Sequence, residues 1–260
     1  MSLFKKVIFY SKNILALKKS DVFLVSFPKS GNTWVRFYLC NLINQLPQFH
    51  FTDDVIDFKI LDETMVELGF NDLTKPWKFQ GFPRIVKTHL AYKPLLGNRK
   101  TILVIRDPKD AMVSFYKYET TKTNQERKLY KGDNFHEFIR KPKLGIEGWC
   151  KHYLSWKSHA NLIIKYEDIK LDDKKIFAEV NNFLSLSVSP SIFEKALELS
   201  RFDNIKKIEV EKDSTITKKF GDSFQFARSG KTGQWKDYFS AQDIDYLNTT
   251  LKKYDIDLYH

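Results

Sequence analysis

Four short apolar runs, separated by stretches with helical character, restrict the fold of this chain more than any other feature. The runs are continuous rather than alternating, which is typical of strands buried on both faces of a parallel sheet. They predict strands over residues 22–27, 85–88, 101–106 and 162–166. Each is far shorter than the ~18 apolar residues that would span a membrane, so we expect no membrane partner.

Helical patterns fall between and after the predicted strands. They rest on apolar residues at a helical period and on capping signals such as Asp107 followed by Pro108. The predicted helices cover residues 33–46, 108–121, 149–156, 192–199 and 241–254. Alternating strands and helices predict an α/β fold with a central parallel sheet flanked by helices, and the length favours one domain over 1–260. Three polar stretches, 50–80, 122–146 and 203–227, are predicted as long lid or substrate loops.

The composition limits the function further. The chain carries 43 Lys and Arg against 32 Asp and Glu, a net charge of +11. The charge is mostly lysine and is spread along the sequence, which favours a solvated surface over a nucleic-acid-binding face and leaves room for a multiply charged anionic ligand. Two cysteines are too few for a disulfide scaffold or a Cys-based zinc site. With an amphipathic N-terminal segment and no cleavage site after it, we expect a cytoplasmic protein.

The first motif, Val-Ser-Phe-Pro-Lys-Ser-Gly-Asn-Thr-Trp at 25–34, follows a predicted strand and opens a helix. Gly31 permits a tight turn of backbone amides, the helix N-terminus adds positive potential, and Lys29 adds a charge. Ser30 and Thr33 add hydroxyl donors. The motif therefore predicts a phosphate cradle, or otherwise an ordinary strand-turn-helix corner. It is not a Walker A loop, because its lysine precedes the glycine.

Three further motifs lie at comparable junctions. Arg106 ends a predicted strand and Ser114 lies in the helix that follows, so together they could hold a phosphate monoester. The stretch 226–235 combines glycines, cations and hydroxyls before a helix, a composition suited to anions. His89 ends the strand that begins at Ile85 and could act as a general base. Each has a plain structural alternative when taken alone: an ion pair, a flexible basic loop or a structural histidine.

Taken in order, these motifs resemble those of the cytosolic, 3'-phosphoadenylyl-sulfate-dependent sulfotransferases. The resemblance runs from about residue 22 to 240. It is carried by Pro-Lys-Ser-Gly-Asn-Thr-Trp at 28–34, Lys-Thr-His-Leu at 87–90, Arg-Asp-Pro-Lys-Asp at 106–110 with Ser114, Tyr-Glu-Asp at 166–168, and Arg-Ser-Gly with Gly-Gln-Trp within 228–235. Five ordered motifs make the resemblance specific, although no one of them does so alone.

The resemblance implies a core like that of P-loop nucleotide kinases and transfer of a sulfuryl group from 3'-phosphoadenylyl sulfate (PAPS) to a small-molecule acceptor, without a metal. It assigns His89 as general base, Lys29 to the leaving phosphate oxygen and Lys87 to the sulfonate oxygens. The product nucleotide is 3',5'-adenosine bisphosphate (PAP). Implied nucleotide contacts are Lys29, Ser30, Gly31, Asn32, Thr33, Trp34, Arg106, Ser114, Tyr166, Ser200, Phe202, Arg228, Ser229 and Gly230.

The chain departs from the family pattern at three places. Asn32 replaces a threonine of the phosphate cradle, and Ser229 replaces a lysine beside the 3' phosphate. The family's dimer motif survives only as Lys236, Ser240, Ala241 and Asp245. We therefore expect a monomer or a weak homodimer.

Two alternatives to the sulfotransferase interpretation require other sequence features. A P-loop kinase should carry a Walker A loop and a magnesium-binding aspartate. A nucleic-acid-binding protein should carry a compact basic face. The acceptor is not fixed by the motifs: aromatic residues before Lys87 could line an acceptor pocket or belong to the core. These aromatics are Phe51, Phe58, Phe70, Trp77, Phe79 and Phe82.

Overall fold

The four predicted strands form one parallel sheet in a computed structural model that describes residues 3–122, 129–212 and 230–259. The strands are β1 (Val22–Ser26), β2 (Ile85–Thr88), β3 (Thr101–Ile105) and β4 (Leu162–Lys165), in the order β2-β1-β3-β4. The chain leaves β1 toward β2 and leaves β3 toward β4. The crevice at the carboxyl ends of β1 and β3 is thus a topological switch point, where open α/β sheets bind ligands.

Helices surround this sheet. In chain order they are α1 (Leu3–Leu15), α2 (Asn32–Gln45), α3 (Phe58–Thr64), α4 (Pro108–Thr120), α5 (Phe135–Ile139), α6 (Ile146–Lys157), α7 (Tyr166–Leu171), α8 (Asp173–Phe183), α9 (Pro190–Ser200), α10 (Phe202–Lys212) and α11 (Ala241–Lys253). Every helix predicted from the sequence is present, and the Ser240 cap closes a capping box with Asp243. The α/β fold prediction is confirmed. No helix within the described ranges is long and apolar enough to cross a bilayer.

Apolar packing on both faces fixes the sheet. All five residues of β1 and all five of β3 are buried, as their continuous apolar sequence predicts. On one face, Tyr38 of α2 stacks on Phe177 of α8 with ring centroids 4.1 Å apart, and its hydroxyl donates to Asn181. On the other, Trp156 of α6 packs edge-on against Phe23 of β1. Each such buried aromatic contributes on the order of 1.5–3 kcal/mol.

The stretches predicted as loops contain short helices. α3 buries Phe58 and Leu61, and α5 buries Phe135, Phe138 and Ile139. Two or three buried apolar residues at helical spacing suffice once a sheet is present to pack against, although they are too few to predict a helix alone. α10 likewise begins the predicted 203–227 lid by burying Ile205 and Ile208; the remainder, 213–227, lies outside the described residues.

Candidate active site at the carboxyl ends of β1 and β3

The loop between β1 and α2 forms a tight cradle. Lys29 has a φ of 65° and Gly31 a φ of 102°. A Cβ atom on Gly31 would lie 2.5 Å from the ring of Tyr166, so both the backbone conformation and the close approach of that ring require glycine. The first turn of α2 follows at once, and its amide groups have no partner within the helix. The cradle therefore presents donors and positive potential to the crevice.

Buried polar atoms in this cradle lack partners among the described residues. These are Ser30 Oγ, Trp34 Nε1 and Arg106 Nε, all on side chains that are less than a tenth exposed. Buried polar atoms are normally hydrogen-bonded, so three neighbouring exceptions indicate a site that receives a polar ligand. The half-buried Thr33 begins the same helical turn. Trp34 packs edge-on against Tyr166 and Phe177, which holds its indole at the floor of the site.

Arg106 joins three chain segments at the end of β3. Its guanidinium donates to the carbonyl of Lys29 at 3.3 Å and to that of Lys231 at 3.2 Å, and it lies 4.4 Å from the centre of the Tyr166 ring. The position is set by the strand, because the buried residues of β3 end immediately before it. Arg106 thus lies where the sequence predicts an anion site.

The loop before α11 closes over the same place. Gly230 has a φ of 59°, and a Cβ on it would lie 2.9 Å from the ring of Phe202. Its carbonyl accepts a hydrogen bond from the Tyr166 hydroxyl at 3.1 Å. Asp110 holds the next turn by accepting from the amides of Gly233 and Trp235. The predicted contacts Tyr166, Phe202 and Gly230 therefore meet, whereas Arg228 and Ser229 lie outside the described residues.

Lys29 experiences an excess of positive charge. Burial, followed by repulsion from Arg106 and by smaller repulsions from Lys122 and Lys87, lowers the pKa of Lys29 to about 7. The carboxylate of Glu209 on α10 acts in the opposite direction. The Lys29 ammonium also lies 4.7 Å from the centre of the Tyr118 ring. Such a cluster of cations is stabilised by a multiply charged anion.

His89 lies at the end of β2 with its ring orientation fixed. Its Nδ1 is 2.8 Å from the carbonyl oxygen of Ser26 and 3.4 Å from that residue's hydroxyl. A carbonyl can only accept, so Nδ1 carries the proton and Nε2 of the neutral ring has a free lone pair. Burial, and then the charge of Lys87, hold the pKa of His89 well below its usual value. The ring is therefore neutral near pH 7 and can accept a proton.

The side chain of Asn32 contacts the last residue of β1. Its side chain is buried, and Nδ2 donates to Ser26 Oγ at 2.9 Å. The threonine that stands here in the family pattern has a hydroxyl group and no amide donor. Asn32 thereby links the phosphate cradle to the residue whose carbonyl orients His89.

Lys87 reaches the crevice paired with a carboxylate. Its ammonium lies 2.7 Å from Glu67 Oε2, and both side chains are largely buried. Burial lowers the pKa of Lys87, while Glu67 opposes the shift. Arg36 makes the neighbouring pair, with Asp62 at 2.8 Å, and also donates to the carbonyl of Met65. Both cations on this side of the crevice thus have carboxylate partners.

Two predicted contacts are less directly placed. Ser114 is half-buried on α4, two turns beyond the Arg106 end of the helix. Ser200 is fully buried, and its hydroxyl donates to the carbonyl of Leu197 within α9.

Four residues of the site were missed from the sequence, because none belongs to a motif and each is brought in by tertiary packing. These are Glu67, Tyr118, Lys122 and Glu209.

The aromatics before Lys87 belong mostly to the core. Phe58, Phe79 and Phe82 are buried, and Phe49 and Phe51 pack against this group. Their packing favours the structural alternative over an acceptor pocket. In the described part of the chain, no cluster of His, Cys, Asp or Glu side chains could hold a metal ion.

Comparison with known proteins identifies the family of the chain. The profile of the sulfotransferase domain matches residues 19–254. The chain is 27% identical to rat sulfotransferase 2A6 over 90% of this chain and 84% of that protein, and 26% identical to rabbit amine sulfotransferase over 88% and 78%.

Solved structures share the fold. Mouse sulfotransferase SULT7A1 complexed with PAP superimposes with a TM-score of 0.67 at 24% identity, covering 96% of this chain and 92% of that one. Retinol dehydratase in complex with androsterone and PAP gives a TM-score of 0.68 at 20% identity, covering 97% and 88%. A P-loop kinase is not favoured by any of these matches. The chain belongs to the sulfotransferase family and is an enzyme of sulfuryl transfer.

Proposed function

We propose that this enzyme transfers a sulfuryl group from PAPS to a hydroxyl or amine of a small-molecule acceptor, with His89 as the general base. The observation that carries the proposal is the contact between His89 Nδ1 and the Ser26 carbonyl, because it leaves Nε2 unprotonated. The low pKa of His89 keeps the ring in this form at neutral pH. Nε2 accepts the acceptor's proton as its oxygen or nitrogen forms the new bond to sulfur.

The residues of the cradle fit a nucleotide with two separate phosphate groups. When bound, PAPS supplies the sulfuryl group and a phosphate leaving group. Ser30, Gly31, Asn32 and Thr33 surround the 5' phosphate in this proposal, and the partnerless Ser30 hydroxyl supports it. Residues proposed at the 3' phosphate and its surroundings are Arg106, Ser114, Arg228, Ser229 and Gly230. Residues proposed near the adenine are Trp34, Tyr166, Ser200 and Phe202.

The two lysines act on charge at the reacting centre. Lys29 neutralises the phosphate oxygen from which the sulfuryl group departs, and Lys87 holds the equatorial sulfonate oxygens. Burial and then repulsion lower the pKa of Lys29 in the free enzyme, and the negative charge of a bound polyanion opposes both, so the lysine is protonated in the complex. In-line positioning and this charge stabilisation supply most of the rate enhancement, as in phosphoryl transfer. No residue of the scheme needs a metal.

The acceptor class that we propose follows from the relatives. One rabbit relative is named an amine sulfotransferase, and one structural neighbour holds androsterone, which supports small amines and alcohols as acceptors. We propose a single domain over 1–260 acting in the cytoplasm as a monomer or weak homodimer, without nucleic acid.

Acceptor-dependent formation of PAP tests the proposal. Purified enzyme is incubated with PAPS and a panel of small alcohols, phenols and amines, and PAP is quantified by liquid chromatography. We expect PAP to form faster than it does without acceptor for at least one class of acceptor. ATP in place of PAPS serves as the control for a kinase. Phosphoryl transfer from ATP, or failure to retain the protein on a 3'-phosphoadenosine resin, contradicts the proposal.

A further inference from the structure

α1 carries an apolar face that points away from the protein. Val7, Ile8 and Leu15 are 56%, 51% and 86% exposed, and they lie on one side of the helix together with the exposed Ser11. The opposite side is occupied: the buried Asn13 accepts from the amide of Leu73 at 2.7 Å. α1 is thus held on the domain, while its outer apolar face is not covered by any described part of the chain.

A second exposed apolar side chain lies beside this face. Phe70 is 79% exposed, on a turn whose preceding residue, Gly69, abuts the ring of Tyr10 on α1. The turn is anchored to β2, because the amide of Leu68 donates to the Lys87 carbonyl. Phe70 is therefore presented by a braced turn next to α1, and the cost of holding it in water is not offset by any packing seen within the described residues.

The charge around this surface is positive. Lys18 and Lys19 are exposed on the turn that follows α1, whereas Lys12 on α1 is paired with Asp72 at 3.5 Å; the chain as a whole carries a net charge of +11. An exposed apolar stripe flanked by lysines matches a helix that lies in the headgroup region of a bilayer. A second copy of the chain fits less well, because two such faces would bring their lysines together. The complementary partner is an anionic lipid surface.

We propose that α1 and the Phe70 turn, here named the basic apolar face, dock the enzyme peripherally on anionic membranes; this revises the expectation of no membrane partner, which rested only on the short apolar runs of the sequence. α1 precedes the sulfotransferase-domain match at residues 19–254, whereas the Phe70 turn lies within it. This turn continues directly from Glu67, the partner of Lys87. Docking would therefore place the acceptor side of the crevice near the bilayer, which suits an acceptor that partitions into lipid.

Vesicle flotation of the full chain without nucleotide tests the docking. Vesicles are pure phosphatidylcholine, or phosphatidylcholine with about a third phosphatidylserine. We expect binding only to the anionic vesicles, weakening with salt. The triple variant Val7→Ser, Ile8→Ser, Leu15→Ser should weaken binding by at least about tenfold, since its apolar insertion is lost.

Matched variants separate docking from general effects. Leu15→Ser should weaken binding several-fold, whereas Leu171→Ser, at an equally exposed leucine on α7, should not. Lys18→Glu with Lys19→Glu should abolish binding, whereas Lys157→Glu with Lys252→Glu, which changes the net charge equally, should largely retain it. Thermal unfolding of each variant confirms that it is folded.

Three results overturn the proposal: no binding to anionic vesicles, equal binding to neutral ones, or equal losses in the α1 and control variants. Concentration-dependent dimerisation abolished by the same α1 variants, without vesicle binding, would assign the face to a second copy. Because the measurement omits PAPS and acceptor, it stands or fails independently of sulfuryl transfer.

Discussion

The two sides of the transfer site treat positive charge differently. On the acceptor side, Lys87 and Arg36 each lie within 2.8 Å of a carboxylate, from Glu67 and Asp62. On the nucleotide side, Lys29 and Arg106 lie close enough that repulsion contributes to a Lys29 pKa of about 7, and Arg106 contacts backbone carbonyls. On the first side each cation lies beside a carboxylate, whereas on the second the pKa of Lys29 stays lowered by burial and repulsion despite the opposing charge of Glu209.

This difference shows where the binding energy of the ligand is needed. A cation cluster costs stability in the free protein and is compensated when a polyanion enters. Ion pairs at the acceptor side present little net charge, which suits a neutral or singly charged acceptor. The charge distribution supports the proposed assignment of the Lys29 and Arg106 side to the nucleotide and of the Lys87 and Arg36 side to the acceptor.

Removing the proposed base should have the largest effect. We expect His89→Ala to lower kcat by about 10²- to 10⁴-fold, because proton transfer occurs only in the transition state, while PAP affinity changes little. Kinetics with isothermal titration of PAP separate the two effects. The control is His159→Ala, a histidine that stacks on Tyr92. A loss of PAP affinity as severe as the loss of rate would refute the assignment of His89 to the acceptor half.

Removing charge from the nucleotide half should affect affinity instead. Arg106→Ala should weaken PAP binding by tenfold or more, since a charged hydrogen bond to phosphate contributes about 1.5–3 kcal/mol. Adenosine 5'-monophosphate, which lacks the 3' phosphate, is the internal control and should lose much less. Equal losses for both nucleotides would mean that Arg106 only supports the carbonyls of Lys29 and Lys231. The same comparison applies to Arg228→Ala, a prediction from the sequence.

The lowered pKa of Lys29 predicts that nucleotide binding depends on pH. Above a pKa of about 7 the free enzyme loses this charge, so PAP affinity should fall between pH 7 and 9, by up to about tenfold per pH unit. Lys29→Arg should flatten this dependence, because arginine stays protonated. Titrations of PAP at three pH values check both. A slope that survives in the arginine variant would have to arise from another group.

The same shift has a consequence for stability. The pKa of Lys29 is about 7 in the folded protein and 10.5 as its ordinary value. Between these two pH values the unfolded chain binds more protons than the folded one, so the free energy of unfolding rises with pH. Lys29→Met should therefore raise the melting temperature of the free enzyme near pH 7 and remove this rise. A lower melting temperature would contradict the cost attributed to the cation cluster.

The fold could be predicted from the sequence where one element supplies its own signal. β1 and β3 are continuous apolar runs, and α4 and α11 begin at caps that are visible in the sequence. α10 could not be predicted in this way, because its charged residues dominate and only two of its apolar side chains, Ile205 and Ile208, are buried. The order of strands was also not determined, since it depends on which edges of β1 the later strands pair with.

The site divides along the same principle. The cradle residues are contiguous, so their motif locates them, and His89 ends a recognisable strand. The partners that set their properties come from distant segments: Glu67 reaches Lys87 across 20 residues of sequence, and Tyr166 reaches Gly230 across 64. A single sequence contains no signal for such pairings, because the residue type does not show whether a carboxylate is exposed at the surface or ion-paired.

The Glu67–Lys87 pair provides the finest test of the charge balance on the acceptor side. Glu67→Gln keeps a hydrogen-bond acceptor but removes the charge that raises the Lys87 pKa against burial. Lys87 should then lose its proton at lower pH, so the alkaline fall of kcat/KM should move to lower pH. Near neutral pH we expect a two- to tenfold decrease, roughly the worth of one partly buried ion pair. The pH profile of kcat/KM measures this shift.

Asp62→Asn is the matched control. Its partner is an arginine rather than a lysine, so the alkaline limb should not move even if activity falls. If Glu67→Gln leaves the limb unchanged, Lys87 is not the group whose protonation limits the acceptor half, and the pairing only fixes the Glu67–Phe70 turn. If the limb moves only in Glu67→Gln, the carboxylate keeps the lysine charged for transfer, because burial alone would favour its neutral form.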